Sequence, residues 1–392
     1  MRSIDSLNLR NKRVLIRVDF NVPLSDEGTV IDDGRIQAAL PTIEHALEHD
    51  GACVLMSHLG RPRGRREDKL RLAPVAERLA ELLPRVKVSS SDEVVGERAQ
   101  AMARELGSGE ILLLENLRFH PGETSNDPEF AAQLASLGEL YVNDAFAVCH
   151  RKHASVYALA ERFSPDQRAG GLLVEREVAA LSRIVDSPER PFIAIFGGAK
   201  VSDKLEAVDA LLGRVDRILI GGAMSYTFLR ARGQKVGNSL VEDAQIDAAR
   251  EMLERGGEKI LLPSDHAVVK GAGPGRDRGV ATGSIPDGMV ALDIGPETVA
   301  RYQAEIESAS TIVWNGPMGK IEDKPFAEGT RAIAEFVAYA DATTIVGGGE
   351  TGEVVRRFKL QSRMTHLSTG GGAFLDYIAH GSLPALEVLR ED

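Results

Sequence analysis

Short apolar runs alternate with longer stretches of helical period along almost the whole chain, and this alternation most constrains the fold. The run Val14–Val18 is followed by apolar residues at three- and four-residue steps from Ile36 to Leu47, and Ala52–Met56 begins the next run. Short apolar runs are typical of buried strands, and the helical period is typical of a helix with one apolar face. The alternation predicts an α/β protein whose mostly parallel sheets are flanked by helices.

The same alternation restarts near residue 190, which indicates two domains. A chain of 392 residues is about twice what one hydrophobic core usually serves. We therefore expect two Rossmann-like domains, each a mostly parallel sheet flanked by helices, joined by a helical hinge. The predicted boundaries are 1–170 for the N-terminal domain, 171–186 for the hinge helix and 187–372 for the C-terminal domain. The sequence leaves open whether the last segment, 373–392, packs back on the N-terminal domain.

Composition limits the classes of binding partner and the cellular compartment that we expect for this chain. The formal net charge is −11, and an acidic chain is a poor general binder of nucleic acid or anionic membrane. Only two cysteines occur, Cys53 and Cys149, far apart in the sequence. Sparse cysteine, no signal-peptide core and no apolar run long enough to span a bilayer predict a cytoplasmic protein.

Glycine clusters recur at the ends of the predicted strands in the second half. The clusters lie at residues 197–198, 221–222, 316–319, 347–349 and 370–372. Ligands of open α/β sheets bind beyond the carboxyl ends of strands, where helix N-termini offer free N–H groups to phosphates. Lys200 and Lys204 lie beside the first cluster, where a bound anion would stabilise their positive charges. The pattern matches neither a Walker A loop nor a GxGxxG fingerprint, so it predicts a phosphate site of another kind.

Arginine and histidine instead recur after the strands of the first half. Asp19 and Asn21 end the first strand, and arginines or histidines follow the later ones, notably at His58, Arg118 and Arg151. Guanidinium groups suit carboxylate and phosphate oxygens. We therefore expect a site for a small, multiply charged anion. Cys149, His150 and His153 lack the second ligand pair of a zinc site.

These motifs, in this order, resemble the phosphoglycerate kinase family over nearly the whole chain. In the first half the motifs are RVDFNVP (17–23), DGRI (33–36), SHLGRP (57–62), ENLRF (115–119), NDAF (143–146) and HR (150–151). In the second half they are GGAKVSDK (197–204), GGAM (221–224), DIGP (293–296), WNGPMG (314–319), GGGE (347–350) and STGGGA (368–373).

The resemblance implies magnesium-dependent transfer of a phosphoryl group between 1,3-bisphosphoglycerate and ADP, which gives 3-phosphoglycerate and ATP. It implies glycerate-binding residues on the N-terminal domain: Asp19, Asn21, Arg35, His58, Arg61, Arg118 and Arg151. It implies nucleotide-binding residues on the C-terminal domain: Lys200, Lys204, Gly222, Glu322, Gly348, Gly349, Glu350 and Thr351. The backbone N–H groups of Gly370, Gly371 and Gly372 are expected to meet the transferred group.

The implied mechanism needs alignment and charge neutralisation rather than a general base, because the acceptor carboxylate is already ionised. Arg35 and Lys200 are assigned to neutralise the negative charge of the transferring phosphoryl group. Mg2+ is expected to bridge the phosphates of ATP or ADP, and the hinge is expected to close before transfer. The resemblance also implies a monomer whose partners are small-molecule substrates.

Three positions depart from the family pattern. Glu350 replaces the usual Asp where magnesium is expected, so Glu350 is the predicted metal contact. Phe374 replaces a usual Ser, and Glu297 replaces a common Lys. Two alternatives stay open at this level: a related kinase that acts on another carboxylic acid or acyl phosphate, and a non-catalytic binding protein that kept the fold.

Overall fold

The chain forms two compact units in a computed structural model that describes residues 1–271 and 277–390. The first unit is Met1–Ala179 together with the segment that begins at Ser382, and the second is Ala180–Gly381. Residues 373–381 therefore group with the second unit. The predicted boundaries at 170, 186 and 372 remain predictions, and residues 272–276 and 391–392 of the predicted segments lie outside the described residues.

One six-stranded sheet forms the centre of the first unit. Its strands are β1 (Arg13–Arg17), β2 (Ala52–Met56), β3 (Val88–Ser90), β4 (Ile111–Leu113), β5 (Leu140–Asn143) and β6 (Arg168–Gly170). They are all parallel and lie in the order β3-β4-β2-β1-β5-β6. The helices are α1 (Gly34–Glu48), α2 (Ala73–Leu82), α3 (Glu97–Glu105), α4 (Pro128–Ala135) and α5 (Leu172–Asp186), which ends in the second unit.

Successive residues of these strands enter cores on opposite faces of the sheet. Val14 and Ile16 of β1 join the core that contains the apolar faces of α1 and α2. Leu15, between them, joins the core that contains those of α3 and α4. Side chains alternate along a strand, so a strand that is apolar at every position becomes buried on both faces.

The buried carboxylate of Asp144 marks where α5 begins. Asp144 follows β5, and its Oδ1 accepts the N–H of Leu173 at 2.9 Å and that of Val174 at 3.3 Å. These two donors lie in the first turn of α5, where N–H groups have no partner within the helix. The residue that follows β5 therefore provides a hydrogen-bond acceptor for the first N–H groups of α5 within the first unit.

A second parallel six-stranded sheet forms the centre of the second unit. Its strands are β7 (Phe192–Phe196), β8 (Arg217–Ile220), β9 (Ile260–Leu261), β13 (Thr311–Asn315), β14 (Thr343–Gly347) and β15 (His366–Leu367), in the order β15-β14-β13-β7-β8-β9. A smaller antiparallel sheet contains β10 (Asp265–Lys270), β11 (Asp277–Thr282) and β12 (Met289–Ile294).

Helices of the second unit separate the strands along the chain. They are α6 (Leu205–Leu212), α7 (Met224–Ala231), α8 (Ile246–Gly256), α9 (Pro296–Glu307), α10 (Glu328–Tyr339), α11 (Gly349–Arg357) and α12 (Gly372–His380). The short helix α13 (Pro384–Glu387) follows in the first unit. Trp314 is fully buried in the core with α9, α10 and α11, and its Nε1 donates to the carbonyl of Gly316 at 2.8 Å.

The predicted fold class is confirmed: two parallel sheets flanked by helices. The sequence did not predict the antiparallel sheet of β10, β11 and β12. Its β11 is mostly exposed, so that strand lacks the continuous apolar run that identified the others. Among the described residues, no helix has both the length and the apolarity needed to cross a bilayer.

Candidate active site

The glycine clusters of the second unit meet where β7, β8 and β13 end. A Cβ on Gly222 would lie 2.4 Å from the backbone nitrogen of Gly198, and a Cβ on Gly316 would lie 2.2 Å from the carbonyl oxygen of Gly197. Such distances leave no room for a side chain. β7 and β13 are neighbours although they are distant in sequence, so this is the point of the sheet where ligands of open α/β folds bind.

A cavity of about 620 Å3 opens beside these glycines. Its lining includes predicted residues from three segments that follow strands: Lys200, Lys204, Gly348, Gly349, Glu350, Thr351, Gly371 and Gly372. Two helices begin there, α11 after its N-cap Gly348 and α12 after its N-cap Gly371. The unpaired N–H groups of their first turns favour an anion.

Two of the predicted site glycines have backbone N–H groups that bind other protein atoms. The N–H of Gly370 donates to Ser368 Oγ at 3.1 Å, and the N–H of Gly222 donates to the carbonyl of Met318 at 2.8 Å. The Thr351 hydroxyl is also engaged, since it accepts the N–H of Gly316 at 2.7 Å. The contacts of Gly222 and Thr351 therefore join different glycine loops, whereas the contact of Gly370 lies within its own loop.

A second cavity, of about 340 Å3, adjoins the first and shares Gly198, Ala199 and Glu350 with it. Gly222 and Glu322 line it, together with mostly apolar side chains: Ala223, Tyr226, Leu240, Val290, Ala291, Leu292, Pro317 and Ile321. A flat apolar group fits such a lining, with the carboxylate of Glu322 near its rim. The two cavities together suit a nucleotide, with its base in the smaller one and its phosphates in the larger one.

The two lysines differ in their surroundings. Lys200 is exposed, whereas Lys204 is half-buried as the N-cap residue of α6. Burial lowers the pKa of Lys204, and the carboxylates of Asp203 and Glu350 oppose that shift. Both lysines remain available for an anion, because no described hydrogen bond or ion pair involves either ammonium group.

Glu242 anchors the loop that carries Lys200. Its carboxylate accepts the N–H groups of Val201 and Ser202, the latter at 3.1 Å, and the Ser202 hydroxyl at 2.7 Å. Burial acts to raise the pKa of Glu242, but these hydrogen bonds outweigh it and the pKa is lowered. This role could not be predicted from the sequence, because Glu242 lies far from Lys200 along the chain.

Magnesium has few protein ligands available here. Glu350 and Asp203 line the larger cavity, but the described residues contain no group of three or more His, Cys, Asp or Glu side chains arranged around a metal position. Mg2+ commonly uses one or two carboxylates together with substrate phosphates. The residues fit a magnesium ion held in that way.

Arg35 lies in the first turn of α1 and pairs with the carboxylate of Asp19. Asp19 is buried, and its Oδ1 also accepts the N–H of Asn21 at 3.2 Å. The side chain of Asn21 in turn accepts the N–H of Gly60 at 2.8 Å. The loops after β1 and β2 are thus tied to the start of α1, and the Arg35 side chain is about one-third exposed.

Buried basic side chains surround this pair. Burial lowers the pKa of His58 well below its ordinary value, and the charges of Arg17, Arg118 and Arg35 lower it further. Burial also lowers the pKa of Arg118 to about 10, with Arg17 and Arg151 adding repulsion. The Nε of Arg118 has no described partner, while its Nη1 donates to the carbonyl of Gly60 at 2.7 Å.

Positive groups this close together repel one another, and an anion would relieve that repulsion. His153 belongs to the same group: burial, with Arg118 and Arg17, lowers its pKa to about 4. Arg151 is half-buried, and its Nε donates to His150 Nε2 at 3.0 Å. Arg61 is exposed after β2, and no described contact links it to the group.

Several residues of this site were missed in the sequence. Arg17, Glu123, His153 and Ser155 are buried among the predicted residues. Arg17 begins the RVDFNVP motif, but an arginine inside an apolar run suggests a strand position rather than a site. Glu123 and Ser155 come from loops whose meeting only the fold brings about.

The fold and both candidate sites define a class: two-unit α/β proteins with a glycine-lined cavity on one unit and an arginine-rich cluster on the other. The family model described as phosphoglycerate kinase matches residues 4–380. The chain belongs to the phosphoglycerate kinase family.

The similar proteins and solved structures match this chain over nearly its whole length. The phosphoglycerate kinase of Anaeromyxobacter dehalogenans is 49% identical, with all of both chains covered. That of Moorella thermoacetica is 49% identical over 99% of each chain. Structures of phosphoglycerate kinase from Coxiella burnetii and Pyrococcus horikoshii OT3 match with TM-scores of 0.85 and 0.87 at 39% and 33% identity. Each covers 99% of this chain and 98% of its own.

The close packing of the glycine loops predicts that Gly222→Ala destabilises the second unit. Gly222 has φ +65°, and an added Cβ would meet backbone atoms of Gly198 and Pro317. Gly233→Ala is the matched control, since Gly233 has φ +84° and open space around it. Both changes carry a left-handed backbone cost of about 1–2 kcal/mol. In urea unfolding, Gly222→Ala should have a clearly lower midpoint than Gly233→Ala; equal midpoints would contradict the packing argument.

Proposed function

We propose that this chain catalyses the magnesium-dependent, reversible transfer of a phosphoryl group between 1,3-bisphosphoglycerate and ADP, which gives 3-phosphoglycerate and ATP. The observation that carries the proposal is the complementary chemistry of the two sites. One is a cluster of buried cationic side chains suited to a small acid with several negative charges. The other joins an apolar cavity to a phosphate cavity lined by glycines and lysines, which suits a nucleotide. Family membership supports the same reaction.

The substrate site is assigned to Asp19, Asn21, Arg35, His58, Arg61, Arg118 and Arg151. Of these, Arg35 and Arg118 offer guanidinium N–H groups with the strongest attraction for carboxylate and phosphate oxygens. Asp19 orients Arg35 through their ion pair. Asn21 fixes the loop at Gly60, whose carbonyl in turn holds Arg118. The anion therefore meets a prearranged set of donors.

The nucleotide site is assigned to the two joined cavities of the second unit. The base fits the apolar cavity, with Glu322 as the contact for the ribose hydroxyls. The phosphates lie along the N-termini of α11 and α12, near Lys200 and Lys204. Glu350 would hold Mg2+ with the help of the nucleotide, and the bound ion would supply positive charge near the transferring phosphoryl group.

Chemistry at the reacting atoms needs little from the protein beyond position and charge. The acceptor in the ATP-consuming direction is a carboxylate that is ionised at neutral pH, so no base has to remove a proton. Arg35 and Lys200 neutralise charge on the transferring group. Reacting atoms must approach to about 3–3.5 Å, and Arg35 and Lys200 belong to different units. We therefore propose closure of the two units during turnover, at the hinge helix predicted from the sequence.

The remaining assignments are proposals of the same kind. The chain acts in the cytoplasm as a monomer on small-molecule substrates, without nucleic acid or membrane as a partner. The acidic net charge of −11 supports the absence of a polyanionic partner.

The proposed substrate is tested by a coupled assay of ATP consumption with 3-phosphoglycerate and with other carboxylic acids. We expect magnesium-dependent turnover with 3-phosphoglycerate. Turnover only with another acid would make the chain a related kinase with a different substrate. Binding of both ligands without turnover would make it a binding protein that kept the fold.

Lys200→Ala should lower kcat about 100- to 1,000-fold, because one donor to the transferring charge accounts for roughly 2.7–4 kcal/mol. KM for ATP should change much less, since Lys204 and the helix N-termini remain. Steady-state kinetics of the purified variant measure both constants. Lys270→Ala, at an exposed position on β10, is the control and should match the parent enzyme. An unchanged kcat in Lys200→Ala would remove Lys200 from the mechanism.

Glu350→Gln should raise the Mg2+ concentration needed for half-maximal activity by about tenfold, which corresponds to roughly 1.4 kcal/mol of lost attraction. Glu353→Gln is the matched control, because Glu353 is also an exposed carboxylate on α11. Magnesium titrations at saturating substrates provide the comparison. If the three titration curves coincide, Glu350 is not a magnesium contact.

A further inference from the structure

A buried chain of hydrogen bonds runs from Glu123 to His58 in the first unit. Glu123 receives the Ser155 hydroxyl on Oε1 at 2.7 Å and the Ser155 N–H on Oε2 at 3.0 Å. The Ser155 oxygen accepts Arg17 Nε–H at 2.9 Å. Arg17 Nη2 lies 3.1 Å from His58 Nδ1. All four side chains are buried, so each contact is protected from competition by water.

The direction of every bond in this chain follows from the groups at its ends. A carboxylate only accepts hydrogen bonds, and a guanidinium only donates them. The Ser155 hydroxyl must therefore donate to Glu123 and accept from Arg17. By the same reasoning, the nitrogen of His58 that faces Arg17 must accept. A neutral imidazole with an accepting Nδ1 carries its proton on Nε2.

Arg17 has three protein partners in this arrangement. Nη1 donates to the carbonyl of Val18, Nε donates to Ser155, and Nη2 faces His58. Every nitrogen of the guanidinium thus has a protein partner. Arg17 therefore orients His58 and adds its positive charge to the site.

We infer that Glu123 is a positioning residue of the substrate site, which acts through Ser155 and Arg17 to hold His58 as the Nε2–H tautomer. The inference rests on the proposed function, since it concerns how that site receives its acid. It assigns a role to two buried side chains, Glu123 and Ser155, that belong to no predicted set.

The tautomer matters because His58 remains neutral. Burial and three arginines lower the pKa of His58 well below its ordinary value, so a change of charge cannot make the ring attractive to an anion at pH 7. A neutral ring attracts an anion only at its N–H. With the proton on Nε2, the free nitrogen of His58 is a donor; with the proton on Nδ1, Nε2 would present a lone pair and repel a carboxylate or phosphate.

Nuclear magnetic resonance tests the tautomer directly in the full chain. Long-range proton–nitrogen spectra of 15N-labelled protein at pH 7 distinguish the two ring nitrogens, and His58→Asn assigns the signals. We expect the Nε2–H form in the parent protein and a mixture of tautomers in Ser155→Ala and Glu123→Gln. A parent ring protonated on Nδ1, or on both nitrogens, would overturn the inference even if both variants failed to fold. Unchanged tautomers in folded variants would also overturn it.

Kinetics supply a second readout that a general loss of stability would not give. Ser155→Ala should raise KM for 3-phosphoglycerate about tenfold, as expected for a lost hydrogen bond to a charged group. KM for ATP should be unchanged, and Ser155→Thr, which keeps the hydroxyl, should restore the parent value. Glu129→Gln, at an exposed position in α4, is the control for Glu123→Gln.

The two readouts separate this inference from the proposed reaction. If the parent enzyme gives no turnover with 3-phosphoglycerate, the proposed function fails while the spectra still decide the tautomer. If turnover occurs and KM for 3-phosphoglycerate stays unchanged in folded Ser155→Ala, the positioning role is wrong.

Discussion

Parallel pairing of the strands is the constraint on which both sites depend. It brings the carboxyl ends of six strands to one edge of each sheet, so loops that are distant in sequence meet there. In the second unit this edge gathers the glycine loops after β7, β8 and β13, whose backbones approach too closely for any side chain. In the first unit it gathers the basic residues that follow β1, β2, β4 and β5. Each site is therefore a property of its sheet as a whole.

The two units offer different groups to an anion. The second unit offers helix N-termini and backbone N–H groups around an open cavity, with Lys200 exposed to any ligand. The first unit holds several cationic side chains close together in buried positions, with Asp19 and Glu123 as the carboxylates among them. Repulsion in this cluster is reduced because a lowered pKa keeps His58 neutral, whereas Arg118, with a pKa of about 10, keeps its charge at neutral pH. The first site therefore presents charged side chains, and the second presents mainly backbone donors around a cavity.

Much of the fold could be predicted because its main signal is local. A strand or helix with a strong local pattern can be predicted without knowing what it packs against. This applies to the apolar runs of β1, β2 and β7 and to the helical period of α1. The antiparallel sheet of β10, β11 and β12 was missed, since its exposed β11 carries little apolar signal. The same holds for the candidate site: residues within local motifs could be predicted, and residues that act from distant segments could not. Arg35 and Lys200 stand beside motifs visible in the sequence, whereas Glu242 and Glu123 act on loops far from them along the chain.

The sequence by itself determined the two α/β halves, the glycine-rich and arginine-rich strand ends, and membership in a family, because these depend on residue order and spacing. Only the tertiary structure decided which of those residues meet and in what state. The occupied N–H of Gly222, the carboxylate that anchors the Lys200 loop and the hydrogen-bonded chain that ends at His58 all depend on contacts between distant segments. Burial and neighbouring charge set the protonation of such groups, and both quantities exist only once the chain has folded.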